Sequence, residues 1–387
     1  MGYQLHGGDI YHGRIALDFS VNVNPLGIPL GVQKVLRASV EHWNRYPDPE
    51  CGELSRRLAE YHGTERERIV CGNGAADLIY RLISLKKPKQ ALLLSPTFSE
   101  YERALEAVGC QIRYFILRKE RDYRVNVREL AGQLEEGEWL FLCNPNNPTG
   151  LAVPGGQVEL LAGICQKKQG LLVVDECFCE FLEKPEKYTL AGRIPNYPGV
   201  VLLRAFTKSY AMAGLRLGYV ICGDMALAGQ LRRTGQPWSV SIPAQEAGAA
   251  ALREKDYLAQ ARGLVRKERE WMGQKLGELG FRVFPSQVNY LLFQDEEGRY
   301  GNLGIRLREQ GILIRDCGNF HGLEPAANST GFRYYRTAIR THEENKQLIE
   351  TIRMHDIKHE EAEHEGTKRL PFGSVKDMKQ RERNSAQ

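Results

Sequence analysis

Long hydrophobic runs are missing from this sequence of 387 residues. Nowhere do about 18 apolar residues follow one another, so no segment is long enough to cross a membrane as a helix. The first nine residues have neither a basic start nor an apolar core, which argues against a secretory signal. Charge of one sign is also scarce, because the net charge is only +5. No dense block of Lys and Arg with interleaved aromatic residues is present, which disfavours nucleic acid as a partner.

Cysteine is present in a pattern that disfavours disulfides. The sequence has 9 cysteines, an odd number, and several lie inside apolar strand-like runs. This usage is typical of buried thiols in a reducing compartment, and it predicts a cytoplasmic protein. With 42% hydrophobic and 26% charged residues, the chain reads as a globular protein of about two or three domains.

The hydrophobic pattern alternates between short β-rich runs and longer amphipathic stretches from about residue 69 onward. It predicts an α/β domain whose mostly parallel sheet is covered on both faces. The runs are 69–71, 91–94, 112–117, 140–143, 171–174, 200–203 and 217–222. A charged amphipathic segment over 244–279 predicts one bridging helix. Further runs at 281–284, 290–293, 312–314 and 335–339 predict a second, smaller domain.

These patterns give the expected domain boundaries. We assign residues 1–44 to an amino-terminal arm and part of the small domain, 45–243 to the large domain, and 244–355 to the bridging helix and the rest of the small domain. Residues 356–387 hold seven acidic and seven basic residues and few apolar ones, which predicts a disordered tail. His355, His359 and His364 have a metal-like spacing, but a solvated helix end explains them better, and we predict no metal.

Lys208 lies in "RAFTKSYAMAGLRLGY" (204–219), between two apolar runs. Burial lowers the pKa of a lysine and makes its amine a nucleophile toward aldehydes. The alternative is a strand-end lysine whose side chain reaches solvent. Arg216 follows eight residues later in a loop from which a guanidinium could hold a phosphate. Thr207 adds a hydroxyl beside the lysine.

Two glycine- or proline-containing turns follow predicted strands, where open α/β sheets bind their ligands. In "CGNGAAD" (71–77), the amides of Ala75 and Ala76 would begin a helix and could meet a phosphate, although glycine turns before helices are common. In "SPTFSEY" (95–101), the ring of Phe98 could stack on a flat heterocycle or pack in the core.

Two polar groups stand at the ends of later strands. The two Asn-Pro pairs of "NPNNPTG" (144–150) exclude a helix and predict a rigid turn that points Asn147 toward the pocket. Asp175 ends the apolar run of "LLVVDECFCEF" (171–181), where a buried carboxylate needs a cationic partner such as a protonated pyridine nitrogen.

The ordered set "NPNNPTG", "VVDE", "FTK" and "AGLRLGY" resembles the pyridoxal-phosphate enzymes of fold type I, the aminotransferase superfamily, over about residues 1–355. The resemblance implies a large domain with a mostly parallel seven-stranded sheet and a smaller α+β domain. It also implies pyridoxal 5'-phosphate as the cofactor and a homodimer with shared active sites.

The same resemblance implies a role for each matching residue. Lys208 would bind the cofactor aldehyde as a Schiff base, and Asp175 would pair with its pyridine nitrogen. Asn147 would bond the 3'-oxygen, and Phe98 would stack on the ring. The groups implied for the cofactor phosphate are Ala75, Ala76, Thr207, Arg216 and, from the neighbouring subunit, Tyr46 in "RYPDPE".

Two positions depart from the family pattern. Ala205 stands three residues before the lysine, where the family usually has a hydroxyl for the phosphate. Phe178 stands three residues after the aspartate, where aminotransferases usually have a tyrosine for the 3'-oxygen. The second change removes a donor that tunes the cofactor's electronics, so it weakens a simple transaminase interpretation.

Four further segments, "HGGDIY", "LDFSVNVNPLG", "GILIRDCGNF" and "YYRTAIRTHEEN", are similar to the threonine-phosphate decarboxylases, which are relatives of the histidinol-phosphate aminotransferases. The similarity implies that Arg336 holds the substrate carboxylate and Arg315 the substrate phosphate. The residues implied to line the phosphate pocket are His6, Gly7 and Asn22. Asp9 replaces an asparagine that is common in the decarboxylases, whereas Arg340 replaces a glycine of the aminotransferases and favours decarboxylation.

The implied reaction is decarboxylation of O-phospho-L-threonine to aminopropanol phosphate in the cobalamin pathway. Histidinol-phosphate aminotransferase remains an alternative, and so does O-phospho-L-serine decarboxylase, since one methyl group gives only about 1–3 kcal/mol of discrimination. A nicotinamide oxidoreductase would need a glycine fingerprint that the sequence lacks. A catalytically silent binding protein would not need both Lys208 and Asp175.

Overall fold

The computed structural model of the protein describes residues 6–324 and 333–354. The strands are β1 (Leu17–Asp18), β2 (Ile69–Gly72), β3 (Gln90–Ser95), β4 (Gln111–Ile116), β5 (Trp139–Cys143), β6 (Leu172–Asp175), β7 (Val200–Ala205), β8 (Gly218–Cys222), β9 (Arg282–Val283), β10 (Tyr290–Asp295), β11 (Ile312–Leu313), β12 (Arg315–Asp316) and β13 (Arg333–Ala338). The helices are α1 (Leu30–Ser39), α2 (Gly52–His62), α3 (Ala75–Lys86), α4 (Glu100–Glu106), α5 (Val127–Gln133), α6 (Gly155–Lys167), α7 (Phe206–Ser209), α8 (Met225–Thr234), α9 (Ile242–Ala251), α10 (Tyr257–Glu278) and α11 (Leu303–Glu309). Residues 342–354 are helical as well.

A seven-stranded sheet with the order β2-β8-β7-β6-β5-β3-β4 forms the centre of the larger part of the described chain. Neighbouring strands are parallel from β7 to β4, and β8 runs antiparallel to both β2 and β7. The predicted mostly parallel sheet is therefore confirmed.

Both faces of this sheet are covered, because every residue of β5, β6 and β7 is buried. Successive residues of β7 enter different cores: Leu202 packs in one hydrophobic cluster, and Val201 and Leu203 pack in the other. This alternation is the period of two that a strand imposes on its side chains. A strand buried on both faces needs a continuous apolar run, which is the pattern that predicted it.

A second, smaller sheet has the order β12-β13-β10-β9 and is antiparallel. Beside it, β1 from the amino-terminal region pairs in parallel with β11. Phe19, Phe293 and Tyr335 share one buried cluster there with Met272 of α10. The boundaries proposed at 44/45 and 243/244 stay predictions, and the tail 356–387 lies outside the described residues, together with His355.

The prediction of one bridging helix over 244–279 is wrong in its continuity. The structure has two helices there, α9 and α10, separated by residues 252–256. Backbone bonds from Arg253 N to Ala250 O, 3.0 Å, and from Glu254 N to Ala251 O, 3.1 Å, close the turn between them. The four residues 253–256 are all charged and offer no apolar side chain to bury against the core, so the helix is interrupted at this point.

The fold gathers several chain segments at one edge of the large sheet. Strands β3, β5, β6 and β7 all end there, and the turn from β2 to α3 and the start of the antiparallel β8 reach the same edge. Open α/β sheets bind ligands at the carboxyl ends of their strands. Among the described residues, no helix is both long and apolar enough to span a membrane.

We expect Leu202→Ala to lower the free energy of unfolding by about 2–5 kcal/mol, because it leaves a cavity in a fully buried central strand. Leu160→Ala, at an exposed position on α6, is the matched control and should change it by no more than about 0.5 kcal/mol. Denaturant unfolding of both variants measures the difference. Equal losses in the two variants would contradict the described packing of the sheet.

Candidate active site

A cavity of about 420 Å³ lies at this edge of the sheet, and every residue assigned to the cofactor or the substrate lines it except Tyr46. The lining residues from that set are His6, Gly7, Asn22, Ala75, Ala76, Phe98, Asn147, Asp175, Thr207, Lys208, Arg216, Arg315 and Arg336. They come from regions far apart in the sequence, so the fold is what brings them together.

The start of α3 forms one part of the cavity wall. The amides of Ala75 and Ala76 belong to the first turn of this helix, where backbone N–H groups have no acceptor within the helix. Gly74 precedes them with a φ of +87°, and a Cβ there would lie 2.7 Å from Arg216 Nη2. Glycine thus lets the Arg216 guanidinium lie beside the helix start. Helix N–H groups and a guanidinium are typical ligands of a phosphate.

Lys208 lies on the four-residue helix α7, directly after β7. Burial, together with the nearby Arg336 and Arg216 guanidiniums, lowers the pKa of Lys208 from its ordinary value to about 8. A neutral amine is therefore available near neutral pH, as nucleophilic lysines require.

Asp175 ends β6 and faces the same cavity. Its Oδ2 accepts a hydrogen bond of 2.5 Å from the hydroxyl of Tyr101, and its Oδ1 accepts one of 3.0 Å from the amide of Cys177. These two donors fix the orientation of the carboxylate. The sequence analysis did not identify Tyr101, because only its spatial proximity to Asp175, 74 positions away, reveals its role.

Asn147 and Arg336 meet across the cavity. Arg336 Nη1 donates to Asn147 Oδ1, and its Nη2 donates to the carbonyl of Ser20 over 2.8 Å. Because Oδ1 of Asn147 accepts this bond, the Nδ2 group of the same side chain points away from Arg336 and can donate to another acceptor. Arg336 Nε and Asn22 Oδ1 are buried atoms that have no hydrogen-bond partner within the described structure. Such atoms indicate that a polar ligand completes the site.

Arg315 reaches the cavity from β12. Its Nη2 donates to Asn319 Oδ1 over 2.7 Å, and its guanidinium lies 5.4 Å from the centre of the Phe320 ring. Burial lowers the pKa of Arg315, although a guanidinium stays charged at any ordinary pH. The side chain is therefore a fixed cation at the cavity wall.

The amino-terminal segment closes another part of the wall. A Cβ on Gly7 would lie 2.3 Å from the carbonyl oxygen of Ser20, so only glycine fits this close approach. Gly8 N donates to Ser20 Oγ over 2.8 Å. His6 Nε2 lies 2.7 Å from Glu100 Oε1, and Glu100 itself lines the cavity. Glu100 is a second residue that the sequence analysis missed, since nothing near position 100 signals a contact with residue 6.

The two departures from the family pattern, Ala205 and Phe178, both line the cavity. The ring of Phe178 packs edge-on against Tyr290, with 5.0 Å between the ring centres. Tyr46 lies outside the cavity, where its side chain is mostly exposed and stacks on Trp238 at 4.6 Å.

Arg340 and Asp9 also lie away from this cavity. Arg340 pairs with Glu344 over 2.6 Å and donates to the carbonyl of Asp18 over 3.2 Å. Asp9 pairs with Arg308 over 3.0 Å. Arg340 is not among the residues that line the cavity, so its value for telling the two groups of relatives apart stays a prediction from the sequence. Within the described residues, no group of three or more His, Cys, Asp or Glu side chains is arranged to hold a metal.

The donor set defines the class of protein. A lysine with a lowered pKa suits an aldehyde, a buried carboxylate suits a protonated pyridine nitrogen, and a helix start beside a guanidinium suits a phosphate. These three groups fit pyridoxal phosphate. The fold and the site are those of a lysine-dependent pyridoxal-phosphate enzyme.

Comparison with known proteins identifies the family. The family model for aminotransferase class I and II matches residues 14–352, so the chain belongs to that family. This confirms the predicted fold, and it confirms pyridoxal 5'-phosphate, the cofactor of that family, as the cofactor of this chain.

Two relatives and one solved structure show the range of similar proteins. The threonine-phosphate decarboxylase of Salmonella typhimurium is 35% identical over 90% of this chain and 95% of its own length. The histidinol-phosphate aminotransferase of Methanosarcina mazei is 31% identical over 85% of both chains. The structure of the histidinol-phosphate aminotransferase from Clostridium acetobutylicum matches with a TM-score of 0.80 at 27% identity, over 88% of this chain and 99% of that chain.

We expect half of the Lys208 amine to be reactive at about pH 8 in the cofactor-free protein, because burial and two cations lower its pKa. The neutral fraction rises with pH, so acetylation by acetic anhydride should rise through that midpoint. Mass spectrometry of the peptide that contains Lys208 measures the reaction. An exposed lysine in the same digest serves as the control, with a midpoint of about 10.4. If Lys208 reacted with the same midpoint as the exposed lysine, its amine would not be buried in the neutral form.

Proposed function

We propose that the protein is a pyridoxal-phosphate-dependent decarboxylase that converts O-phospho-L-threonine to aminopropanol phosphate in the cobalamin pathway. One observation carries the proposal: the cavity that holds Lys208 and Asp175 also holds two further buried guanidiniums, those of Arg315 and Arg336. A phosphorylated amino acid has two anionic groups to match them. The 35% identity to a threonine-phosphate decarboxylase supports the same substrate.

The cofactor would be held by the groups already described. Lys208 would bind its aldehyde, Asp175 its pyridine nitrogen, Asn147 its 3'-oxygen, and Phe98 one face of its ring. The proposed phosphate ligands are Ala75, Ala76, Thr207, Arg216 and the partner's Tyr46. When bound, the cofactor supplies an electron sink for a bond at the substrate Cα.

The substrate would be oriented by its two charged ends. We assign its carboxylate to Arg336, because the unpartnered Nε of this guanidinium adds a donor to the two that are already bound. We assign its phosphate to Arg315, with His6, Gly7 and Asn22 beside it. Two fixed anchors hold the Cα substituents in one orientation, which is how a positioned substrate gains its rate. The amine of Lys208 would return a proton to Cα as carbon dioxide departs.

Phe178 favours decarboxylation over transamination in this proposal. Its ring offers no hydroxyl to the cofactor, and Tyr290 packs against it. Histidinol-phosphate aminotransferase remains the second candidate because such an enzyme is 31% identical. Decarboxylation of O-phospho-L-serine is the third, since its substrate presents the same two anionic groups.

We also propose a homodimer with shared active sites. The support is an exposed aromatic pair, Tyr46 and Trp238, outside the cavity of its own chain. An exposed tyrosine in this position is free to reach a neighbouring subunit, as the family resemblance implies. We further place the protein in the cytoplasm, because all nine of its cysteines are free thiols and eight are buried.

We expect the purified protein with pyridoxal phosphate to release carbon dioxide from O-phospho-L-threonine without any keto acid. Lys208→Ala should abolish this release, because Lys208 is the one lysine among the described residues that line the cavity. The assay follows carbon dioxide and glutamate separately, with O-phospho-L-serine and with histidinol phosphate plus 2-oxoglutarate as the competing substrates. Glutamate from histidinol phosphate without carbon dioxide would contradict the decarboxylase and support the aminotransferase.

We expect Arg315→Gln to lower kcat/KM for O-phospho-L-threonine by about 10- to 100-fold, mainly through KM, because it removes a charged hydrogen-bond donor to the phosphate. Affinity for the cofactor should not change, since Arg315 is assigned to the substrate alone. Arg333→Gln is the matched control: it removes an arginine that lines the adjoining cavity but not this one. Equal effects of both variants on KM would contradict the assignment of the phosphate to Arg315.

A further inference from the structure

The wall of the cavity around Asp175 is supported from behind by a buried ion pair. Arg204 Nε donates to Glu176 Oε2 over 2.8 Å, and Arg204 Nη2 lies 2.6 Å from the same oxygen. The side chains are 4% and 0% exposed. Thr189 Oγ1 donates to Glu176 Oε2 over 2.8 Å. A fully buried charge pair needs such additional hydrogen bonds, because desolvation of both ions opposes its formation.

The same guanidinium also holds the far end of the loop that forms this wall. Arg204 Nη1 donates to Glu180 Oε1 over 2.7 Å. Glu176 and Glu180 flank the two wall residues Cys177 and Phe178, both of which line the main cavity. The Arg204 side chain thus binds the loop 176–180 at both of its ends. A guanidinium can do this because its N–H donors point in several fixed directions within one plane.

Sequence neighbours connect this pair directly to the candidate catalytic groups. Glu176 follows Asp175, and Arg204 precedes Lys208 by four residues. The strands that carry them are adjacent: Asp175 pairs in register with Leu203, and Glu176 N donates to Leu203 O over 2.8 Å. The ion pair therefore ties the ends of β6 and β7 together at the point where both deliver a functional side chain.

A small second cavity shows that the pair lies immediately behind the wall. Glu176 and Arg204 line it, and so do Cys177 and Ala205, which also line the main cavity. Its volume is about 10 Å³. Glu176 is one of the residues that line this second cavity. Its Oε1 atom is buried and has no hydrogen-bond partner in the described structure.

We propose that Arg204 and Glu176 are positioning residues, which fix Asp175 and the loop 176–180 relative to Lys208 so that the bound cofactor ring is held in a single orientation. This inference rests on the proposed function only in that Lys208 and Asp175 act on the cofactor. A buried ion pair gives little stability beyond what well-packed apolar residues would give. The ion pair between Arg204 and Glu176 contributes instead by fixing the end of β6 relative to the end of β7.

The test compares the same substitution at two buried arginines of the holoenzyme. Arg204→Lys keeps the charge but loses the fork that reaches both glutamates. We expect kcat to fall by about 10- to 100-fold with a much smaller change in KM, because a misplacement of about 1 Å has effects of this size. The visible circular dichroism of the bound cofactor should weaken, because its ring is held less rigidly.

Arg68→Lys is the control, because Arg68 is also buried and bonds Glu65 over 2.7 Å, away from the cavity. It should lower the unfolding temperature but leave kcat and the circular dichroism unchanged. If Arg204→Lys behaves like Arg68→Lys, the pair is only structural and the inference is overturned.

A second variant keeps the inference testable if Arg204→Lys does not fold. Glu180→Ala leaves the Arg204 and Glu176 pair intact and removes one anchor of the loop. We expect a smaller fall in kcat and a weaker circular dichroism signal, and wild-type values for both would overturn the inference. The circular dichroism does not depend on which substrate is decarboxylated or transaminated. It therefore tests the positioning role even where the product assay contradicts the proposed reaction.

Discussion

The burial of the Lys208 amine is the constraint on which the rest of the site depends. A lysine that is out of contact with water loses its proton more readily, and its pKa falls to about 8 here because burial and two guanidiniums act in the same direction. The sheet makes this burial possible, because α7 follows β7 directly in the connection to β8, and these two paired strands are buried along their whole length. An amine at a flexible loop tip would stay hydrated and protonated. The chemistry of the site thus follows from a backbone arrangement, and the arrangement follows from two continuous apolar runs in the sequence.

The same cavity concentrates positive charge that only anionic ligands can balance. Arg216, Arg315 and Arg336 all line it, and the carboxylates among its lining residues are Asp175 and Glu100. Asp175 accepts a hydrogen bond from Tyr101, and Glu100 contacts His6 and Arg103. Arg315 and Arg336 are buried, and a group of opposite charge offsets the desolvation of such a cation. On the proposed function, a cofactor phosphate, a substrate phosphate and a substrate carboxylate would supply that charge.

The sequence predicted the strands and the strand-end residues well, because both depend on local pattern. Apolar runs located all seven strands of the large sheet, and turn chemistry located Asn147 and the start of α3. Contacts between distant positions were not predictable. Tyr101 bonds Asp175, Glu100 bonds His6, and Arg204 grips Glu176 and Glu180, and each of these depends on tertiary packing that no local spacing encodes. The break between α9 and α10 was also missed. The charged segment 253–256 is compatible with a helix in the sequence alone, and it forms a turn because no packing surface continues along it.

The wall beside Asp175 shows how this chain replaces one kind of support with another. Where an aminotransferase usually has a tyrosine hydroxyl for the cofactor, Phe178 packs against Tyr290, whose own hydroxyl donates to the carbonyl of Asn146 over 2.8 Å. The wall is therefore held by ring packing in front and by the buried Arg204 behind. An apolar ring in that place excludes water from the cofactor's edge, and charged groups interact more strongly where water is excluded. On the proposed assignment, Phe178 thus gives up one hydrogen bond to the cofactor and presents an apolar ring to the cavity in its place.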